Sequence, residues 1–445
     1  MIIRNGLVFT EAGKFEELTI TTINDKIYSL TPTVSANPDD VSIHHENAEV
    51  IDASDCYVIP GLVDIHMHGC MGIDFCDIAH VNTQEEANTL LQNIASYELT
   101  HGITAFCPAT MTLPIDTLSK ICNFTAKYLS SPLYSTTDSH PSISYASFAE
   151  CPDSCSPLAT AGLSGIYLEG PFLSPLRCGA QNKDSLKLPD YSVFQDLMTA
   201  SKDLIRVVAI APELDGAIDF IKSVRTYMPQ ITCSLAHTDA DYNTACHAFE
   251  AGATQVTHLF NAMAPLHHRK PGVIGAAFDT SDCYVECISD GIHLAPSIIR
   301  ACFQLFGAYC TTNYHGVCDP SDDFLWSSSA NRIILISDST MATGMPDGHY
   351  HLGNQDITVQ DKLATLTDGT IAGSCSNLME CMQAAVSFGI PLEHAITAST
   401  INPARAIGID TLHGSICAGK YANLLLLDKE TLVLRKIIYH GVEVN

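Results

Sequence analysis

The feature that most constrains the fold is a regular alternation of short apolar runs with segments long enough to form helices. Unbroken apolar runs are typical of parallel strands that are buried on both faces, and parallel neighbours need a long crossover between them. We count eight such runs, at residues 57–65, 103–109, 165–168, 206–211, 231–236, 255–259, 284–288 and 332–336. Eight strand–helix units predict an α/β protein built on a (β/α)8 TIM barrel.

The two ends of the chain have a different sequence pattern, with short strand-like runs that are broken by turns. They include residues 18–20 and 26–30 near the start and residues 414–428 and 436–440 near the end. Such runs are typical of antiparallel strands, and we expect both ends to share one small β-sandwich. The predicted domains are therefore residues 1–58 and 408–445 as the two parts of the sandwich, and residues 59–407 as the barrel.

Chain length and charge narrow the class of partner. A chain of 445 residues is long enough for a barrel of about 250 residues with an appended domain. It has 22 Lys and Arg against 49 Asp and Glu, a net charge of -27, which opposes attraction to nucleic acid or to an anionic membrane. The sequence therefore predicts a small-molecule partner, and an anionic one would need a local pocket of basic or backbone donors.

Several segments predict location and local structure. The start of the chain lacks a signal-peptide pattern and no run of about 18 apolar residues is present, so we expect a cytoplasmic protein. The 18 cysteines are scattered through apolar segments without zinc-finger spacing, which predicts reduced core residues. Residues 128–162, rich in Ser, Pro and Thr, predict a loop insertion, and residues 349–370 predict a β-hairpin.

Side chains that can bind a metal follow the carboxyl ends of several predicted strands, where TIM-barrel active sites form. His66 and His68 alternate in an extended segment, so both imidazoles point to one side. Glu169 follows the third strand, and His237 and His258 follow the fifth and sixth. Two histidines and one glutamate that leave room for water are typical of a catalytic zinc site rather than a closed structural one.

Two further residues fit the chemistry of hydrolysis. Asp338 follows the eighth predicted strand and could take a proton from an activated water and pass it on, although Asp is also a common helix N-cap. His293, in the segment Asp290-Gly291-Ile292-His293 after the seventh strand, could donate to the oxygen of a scissile carbonyl. The sequence therefore predicts metal-assisted hydrolysis at the barrel mouth.

These motifs resemble a known family. Residues 60–69, Pro-Gly-Leu-Val-Asp-Ile-His-Met-His-Gly, resemble the opening motif of the amidohydrolase superfamily, and residues 414–424 resemble its closing segment. The more specific likeness is to the N-acetylglucosamine-6-phosphate deacetylase family, and it is carried by residues 168–172, 236–238, 257–263, 290–293 and 337–338. The resemblance covers nearly the whole chain.

The resemblance implies roles for individual residues. Glu169, His237 and His258 would hold the main metal, Asp338 would be the catalytic acid and base, and His293 would contact the substrate. The presence of both His66 and His68 leaves room for a second ion. The resemblance also implies that the sugar phosphate is bound by Ala180, Gln181, Asn261, Ala262, Arg269, Ile371, Ala372 and Gly373.

The implied reaction is removal of the acetyl group from N-acetylglucosamine 6-phosphate in amino-sugar metabolism. Arg269 would come from the neighbouring subunit, so the resemblance implies a homodimer. Zn²⁺ is the first expectation for the ion, while Fe²⁺, Mn²⁺ and Co²⁺ suit the same ligands, and one or two ions per subunit remain open. Two other functions also remain open: a deacetylase of N-acetylgalactosamine 6-phosphate, and an inactive amidohydrolase-fold scaffold.

Overall fold

The computed structural model describes residues 1–33, 49–130, 160–307 and 331–444. Most of the predicted loop insertion at residues 128–162 lies outside the described residues. In the described part, no helix is both long enough and apolar enough to cross a membrane. The cysteines described there are free thiols, and all except Cys246 and Cys417 are buried, as the sequence predicted.

Strands from the two ends of the chain form one nine-stranded sheet. Its strands are β1 Ile2–Arg4, β2 Leu7–Phe9, β3 Phe15–Ile23, β4 Lys26–Pro32, β5 Val50–Asp52, β6 Cys56–Pro60, β21 Leu424–Asp428, β22 Leu434–Tyr439 and β23 Val442–Val444. The C-terminal strand β21 pairs antiparallel with the N-terminal strand β6. Alternate apolar side chains from both ends bury a separate hydrophobic cluster that includes Val8, Ile20, Val58 and Leu424.

Parallel strands form two further sheets, one of three strands in the order β11-β10-β7 and one of six strands, β12 to β17, in sequence order. These strands are β7 Leu62–Met67, β10 Ile103–Pro108, β11 Gly162–Leu163, β12 Ile166–Leu168, β13 Ile205–Ile210, β14 Thr232–Leu235, β15 Gln255–Val256, β16 Tyr284–Ile288 and β17 Ile333–Ile336. Each of the eight predicted runs overlaps one of them, and all pairings are parallel. The α/β class is therefore confirmed.

Backbone contacts join the two parallel sheets at two places. On one side Ala109, just after β10, forms a parallel bridge with Tyr167 of β12. On the other side the Asp338 N–H, after β17, donates to the His66 carbonyl of β7 at 2.9 Å. Side chains alternate across each strand: Ile334 and Ile336 belong to one buried cluster, whereas their neighbours on β17 belong to the cluster that packs against the helices.

Helices follow most of the parallel strands, and several pack directly against them. They are α1 Gln84–Thr100, α2 Ile115–Leu129, α3 Tyr191–Ala200, α4 Ala217–Tyr227, α5 Tyr242–Ala251, α6 Gly272–Asp279, α7 Pro296–Gly307, α8 Leu378–Ser387, α9 Leu392–Ser399 and α10 Ile401–Ala406. Capping boxes begin α1 at Thr83 and α8 at Asn377, each with a glutamate three residues later.

Short antiparallel sheets lie in two of the connections. The predicted hairpin at residues 349–370 is confirmed, as a three-stranded sheet of β18 Gly348–Leu352, β19 Gln355–Gln360 and β20 Leu363–Thr365. Directly after β7, the chain forms a two-stranded sheet of β8 Gly69–Cys70 and β9 Ile73–Asp74.

The first predicted strand, at residues 57–65, was wrong as a single element. It is divided between β6 of the nine-stranded sheet and β7 of the parallel sheet. The division falls at Gly61, where a Cβ atom would lie 2.2 Å from Thr104 Oγ1. The chain therefore passes from one sheet to the other at a residue whose lack of a side chain allows this close approach.

Substituting Gly61 tests this junction. Gly61→Ala places a methyl group against the buried Thr104, and we expect overpacking to destabilise the protein by about 1–3 kcal/mol. Gly348→Ala is the matched control, because its Cβ would meet Tyr350 Cε2 at 3.5 Å, an ordinary contact. Urea denaturation midpoints of both variants measure the effect. An unchanged midpoint for Gly61→Ala would show that the junction tolerates a side chain.

Candidate active site

The residues predicted from strand ends converge in one buried cluster. Each lies within or just beyond the carboxyl end of a parallel strand, so that strand geometry alone brings them to a common edge. The cluster consists of His66, His68, Glu169, His237, His258 and Asp338, each less than a tenth exposed.

Glu169 lies at the centre and is shared by two groups of histidines. Its Oε2 atom is 3.1 Å from His68 Nε2 and 3.5 Å from His66 Nε2. Its Oε1 atom is 3.0 Å from His237 Nε2 and 3.1 Å from His258 Nε2. In each group the three potential ligand atoms lie within 4.8 Å of one another, close enough to bind one ion. One carboxylate thus joins two candidate metal positions.

The hydrogen bonds of the histidine Nδ1 atoms show that the Nε2 atoms, which face Glu169, are suited to bind a cation. His68 Nδ1 lies 3.2 Å from the Ala109 carbonyl, and His237 Nδ1 lies 3.0 Å from the Arg177 carbonyl. A carbonyl only accepts, so in the neutral ring each Nδ1–H donates and each Nε2 presents a lone pair to Glu169. Buried His66 Nε2 has no hydrogen-bond partner among the described residues. Lone pairs that converge on carboxylate oxygens fit a divalent metal.

The electrostatics of the cluster also favour a cation. Burial by itself would lower the pKa of His68, but Asp338 and Glu169 outweigh it and raise that pKa to about 10. Burial by itself would raise the pKa of Glu169, yet the facing histidines, His66 first, hold it well below its usual value. The negative potential that would keep a proton on His68 attracts a metal ion in the same place.

Asp338 lies beside the first histidine group. Its Oδ1 atom is 3.2 Å from His68 Nε2 and 3.7 Å from His66 Nε2. Burial raises the pKa of Asp338, but the hydrogen bond from His68 and the charges of both rings outweigh it, so the pKa is lowered. Its backbone is left-handed, with φ of 48°, and is held by the bond from its N–H to the His66 carbonyl. An ionised carboxylate is thereby fixed next to the candidate metal ligands.

His293 is fixed by its own carboxylate partner. Its Nδ1 lies 2.8 Å from Asp290 Oδ2, and the Asp290 side chain also accepts the backbone N–H of His293 at 2.9 Å. Burial would raise the pKa of Asp290, but the hydrogen bonds and charge of His293, together with the backbone N–H of Ile292, outweigh it and lower that pKa. The ring orientation is therefore set, which leaves Nε2 as the atom available to a substrate.

The predicted substrate-binding residues fall into two groups. Gln181 lies in the cluster, where its Nε2 donates to Glu169 Oε2 at 2.9 Å, and Ala180 beside it is buried. Asn261 donates to the His258 carbonyl at 3.2 Å, so it is held at the edge of the cluster. Arg269, by contrast, is exposed in a turn closed by a bridge between flanking residues.

Two other predicted segments flank the site. Ala372 is fully buried and Ile371 is exposed. A Cβ atom on Gly373 would lie 3.0 Å from the Asp338 carbonyl, and the next residue, Ser374, donates its N–H to that carbonyl at 2.8 Å. Ala262 accepts the Thr238 N–H at 3.1 Å, so it lies next to the segment that carries His237. Gly373 and Ala262 thus lie next to the segments that carry Asp338 and His237.

Sequence reasoning did not single out two residues that shape the cluster. Glu286 lies fully buried in β16, and its Oε2 atom is 3.0 Å from His66 Nδ1. The Tyr167 ring lies against the His66 ring with centroids 4.3 Å apart. A carboxylate in the middle of an otherwise apolar strand was the signal that could have identified Glu286, because buried charge without a partner is costly.

Comparison with known proteins agrees with this geometry. Residues 57–444 match the amidohydrolase family, a span that includes every residue of the cluster. The chain belongs to the amidohydrolase family. Among similar amidohydrolases, N-acetylglucosamine-6-phosphate deacetylase of Bacillus subtilis (strain 168) is 31% identical over 390 residues, which cover 87% of this chain and 85% of that protein. N-acetylgalactosamine-6-phosphate deacetylase of Escherichia coli O157:H7 is 26% identical over 429 residues, 96% of this chain and 95% of that protein.

A solved amidohydrolase structure is also similar throughout. It is a variant of N-acetyl-D-glucosamine-6-phosphate deacetylase from Mycobacterium smegmatis in complex with N-acetyl-D-glucosamine-6-phosphate. It has a TM-score of 0.79 and 28% sequence identity, and the match covers 100% of this chain and 99% of that one. The fold of the described residues is therefore similar to that of the Mycobacterium smegmatis protein.

Glu169 is the residue whose loss should most affect metal content. Glu169→Gln removes the charge that both histidine groups share, and we expect dialysed protein to retain much less divalent metal than the unsubstituted chain. Glu250→Gln, an exposed change on α5, is the matched control and should leave metal content unchanged. Elemental analysis by mass spectrometry gives the ratio of metal to protein. Equal metal content in Glu169→Gln and the control would contradict the assignment of Glu169 as a metal ligand.

Proposed function

We propose that this amidohydrolase removes the acetyl group from N-acetyl-D-glucosamine 6-phosphate, giving D-glucosamine 6-phosphate and acetate, in amino-sugar catabolism or recycling. The observation that carries the proposal is the buried cluster in which Glu169 is shared by four histidines and lies beside the ionised Asp338. The similarity of the chain to deacetylases of amino-sugar phosphates indicates the class of substrate.

The proposed cofactor is a divalent cation, with Zn²⁺ first and Fe²⁺, Mn²⁺ or Co²⁺ suited to the same donors. Glu169, His237 and His258 would hold one ion, and His66, His68 and Glu169 could hold a second. A cation held there would supply Lewis-acid activation of water and of the acetamide carbonyl. One or two ions per subunit are compatible with these donors.

The residues of the chain supply proton transfer and orientation. Asp338 Oδ1 accepts a proton from the attacking water, whose oxygen bonds to the acetamide carbon. Asp338 then delivers that proton to the nitrogen as the C–N bond breaks, so that the amine and acetate leave. His293, oriented by Asp290, donates to the carbonyl oxygen as negative charge develops on it.

The proposed sugar-phosphate pocket uses donors at the edge of the cluster. Because the chain carries a net charge of -27, a phosphate must be held by local donors that oppose the overall field. Asn261, Ala262 and Arg269 would bind the phosphate, the arginine reaching the active site of the neighbouring subunit in a homodimer. Its exposed position supports this role, since an exposed guanidinium is free to reach a second chain. The sugar itself would be lined by Ala180, Gln181, His293, Ile371, Ala372 and Gly373.

We also propose the finer architecture that the sequence predicted. The two backbone contacts between the parallel sheets support a closed (β/α)8 barrel within residues 59–407. The shared sheet and its own hydrophobic cluster support one β-sandwich domain from residues 1–58 and 408–445. We propose a cytoplasmic enzyme that acts on a small molecule and binds neither nucleic acid nor membranes.

The galactosamine epimer is the second candidate substrate, because the Escherichia coli relative that matches 96% of this chain is named for it. Acetate release from both 6-phosphates and from unphosphorylated N-acetylglucosamine, with and without a chelator, distinguishes the candidates. Chelator-sensitive turnover that is fastest with the glucosamine phosphate supports the proposal. Faster turnover of the epimer would reassign the substrate, and no turnover by metal-loaded protein would favour a scaffold.

Asp338→Asn tests the proton-transfer role. Asn tolerates the left-handed backbone at this position, so we expect a folded, metal-loaded protein whose kcat falls by about 100- to 10,000-fold. Asp361→Asn is the matched control, since Asp361 is also left-handed, with φ of 52°, and is exposed. Steady-state kinetics and zinc content are measured on both. Near-normal kcat in Asp338→Asn would assign proton transfer to another group.

Arg269→Ala tests the phosphate contact. Loss of a charge-assisted hydrogen bond should lower kcat/KM for the phosphorylated sugar by about 10- to 100-fold, mainly through KM. The unphosphorylated sugar should be much less affected. Lys222→Ala, which removes another exposed cation, controls for the change in net charge. Equal losses with both sugars would exclude a phosphate contact.

A further inference from the structure

Glu286 is a fully buried acidic residue next to the cluster, and the proposed reaction does not use it. It lies in β16. One oxygen, Oε2, lies 3.0 Å from His66 Nδ1 and accepts the backbone N–H of His258 at 3.2 Å. The other oxygen, Oε1, accepts Gln255 Nε2 at 2.6 Å. Glu286 therefore touches one histidine from each candidate metal position.

The two contacts differ in kind. Glu286 bonds the imidazole of His66 but only the backbone of His258. The rings of His68 and His237 have neutral carbonyls behind them, so among the described residues His66 is the ligand ring backed by a carboxylate. A carboxylate in this position fixes the ring with Nε2 toward the cation and makes that nitrogen more basic. The charge of Glu286 thus acts mainly on the position that contains His66.

The surroundings of His66 prevent water from replacing Glu286. His66 is fully buried, and the Tyr167 ring packs against it. Tyr167 is itself held by a hydrogen bond between its hydroxyl and Thr257 Oγ1 at 2.7 Å. The buried carboxyl side chains of the cluster and its surroundings include Glu169, Asp338, Glu286 and Asp64, which accepts the His66 N–H, and positive charge between them relieves the repulsion among those that are ionised.

We propose that Glu286 is a positioning residue that sets the metal affinity of the His66–His68–Glu169 position, so that this chain holds two ions rather than one. The inference rests on the metal centre of the proposed function and deepens it. One buried carboxylate, Glu286, would then decide whether the site binds one ion or two.

Glu286→Gln removes the charge while keeping the hydrogen bonds. The amide oxygen of the substituted side chain can still accept from His66 and His258. Its NH₂ group can donate to Gln255, because Gln255 Oε1 is buried without a partner among the described residues and the Gln255 amide can turn to accept. The variant therefore removes only the charge of the side chain, whereas Glu286→Leu would remove the charge and the hydrogen bonds together.

The test is a zinc titration of the full chain in chelator-buffered solutions, with bound zinc measured by elemental analysis. We expect the unsubstituted protein to bind two ions. Glu286→Gln should bind one ion with unchanged affinity and the other about 10- to 100-fold more weakly. Because His68→Ala removes the affected position, adding Glu286→Gln to it should leave the affinity of the remaining ion unchanged.

Glu98→Gln is the matched control. Glu98 lies on α1 and is as deeply buried, at 1% exposed, so it reports the effect of placing Gln at a buried Glu position. It should keep both ions. Unchanged binding in Glu286→Gln, equal weakening of both ions, the same loss in Glu98→Gln, or a single ion in the unsubstituted protein would each overturn the inference. Acetate release is measured separately, so turnover by a one-ion protein would reject this inference while supporting the proposed function.

Discussion

The site depends on one shared carboxylate. Glu169 presents one oxygen to His66 and His68 and the other to His237 and His258. These four rings come from three different strands or strand ends, so a single side chain fixes the relative positions of β7, β14 and β15. A buried carboxylate is stable only when its charge is compensated. The arrangement of the strand ends therefore depends on the contacts of Glu169, and those contacts depend on the arrangement of the strand ends.

Backbone strain is concentrated at the same place. His237, His258 and Asp338 all have positive φ, at 43°, 27° and 48°. Such conformations are unfavourable for residues other than glycine and persist where the surroundings determine them. Hydrogen bonds hold the backbone in these conformations. The Asp338 N–H donates to His66 O, and the His258 N–H donates to Glu286 Oε2. The strained residues turn their side chains inward immediately after the strands end.

Much of this could be predicted from the sequence because the signals are local. Apolar runs indicated the parallel strands, and ligand-type residues directly after them indicated the cluster around Glu169. The prediction that was wrong and the residue that was missed both depend on contacts between residues that are far apart in sequence. The division of the first strand at Gly61 depends on Thr104, which is remote in sequence. The role of Glu286 depends on its meeting His66, and no pattern within either strand records that pairing.

The position of Gly61 has a consequence for how the two ends of the chain relate to the catalytic edge. Gly61 donates its N–H to the Asn423 carbonyl at 2.9 Å, and β6, which ends at the residue before it, is paired along its whole length with β21. The strand that carries His66 begins at the next residue. The C-terminal strands therefore act as an anchor for the metal-binding strand, so that fraying of the C-terminus would loosen histidines far from it in sequence.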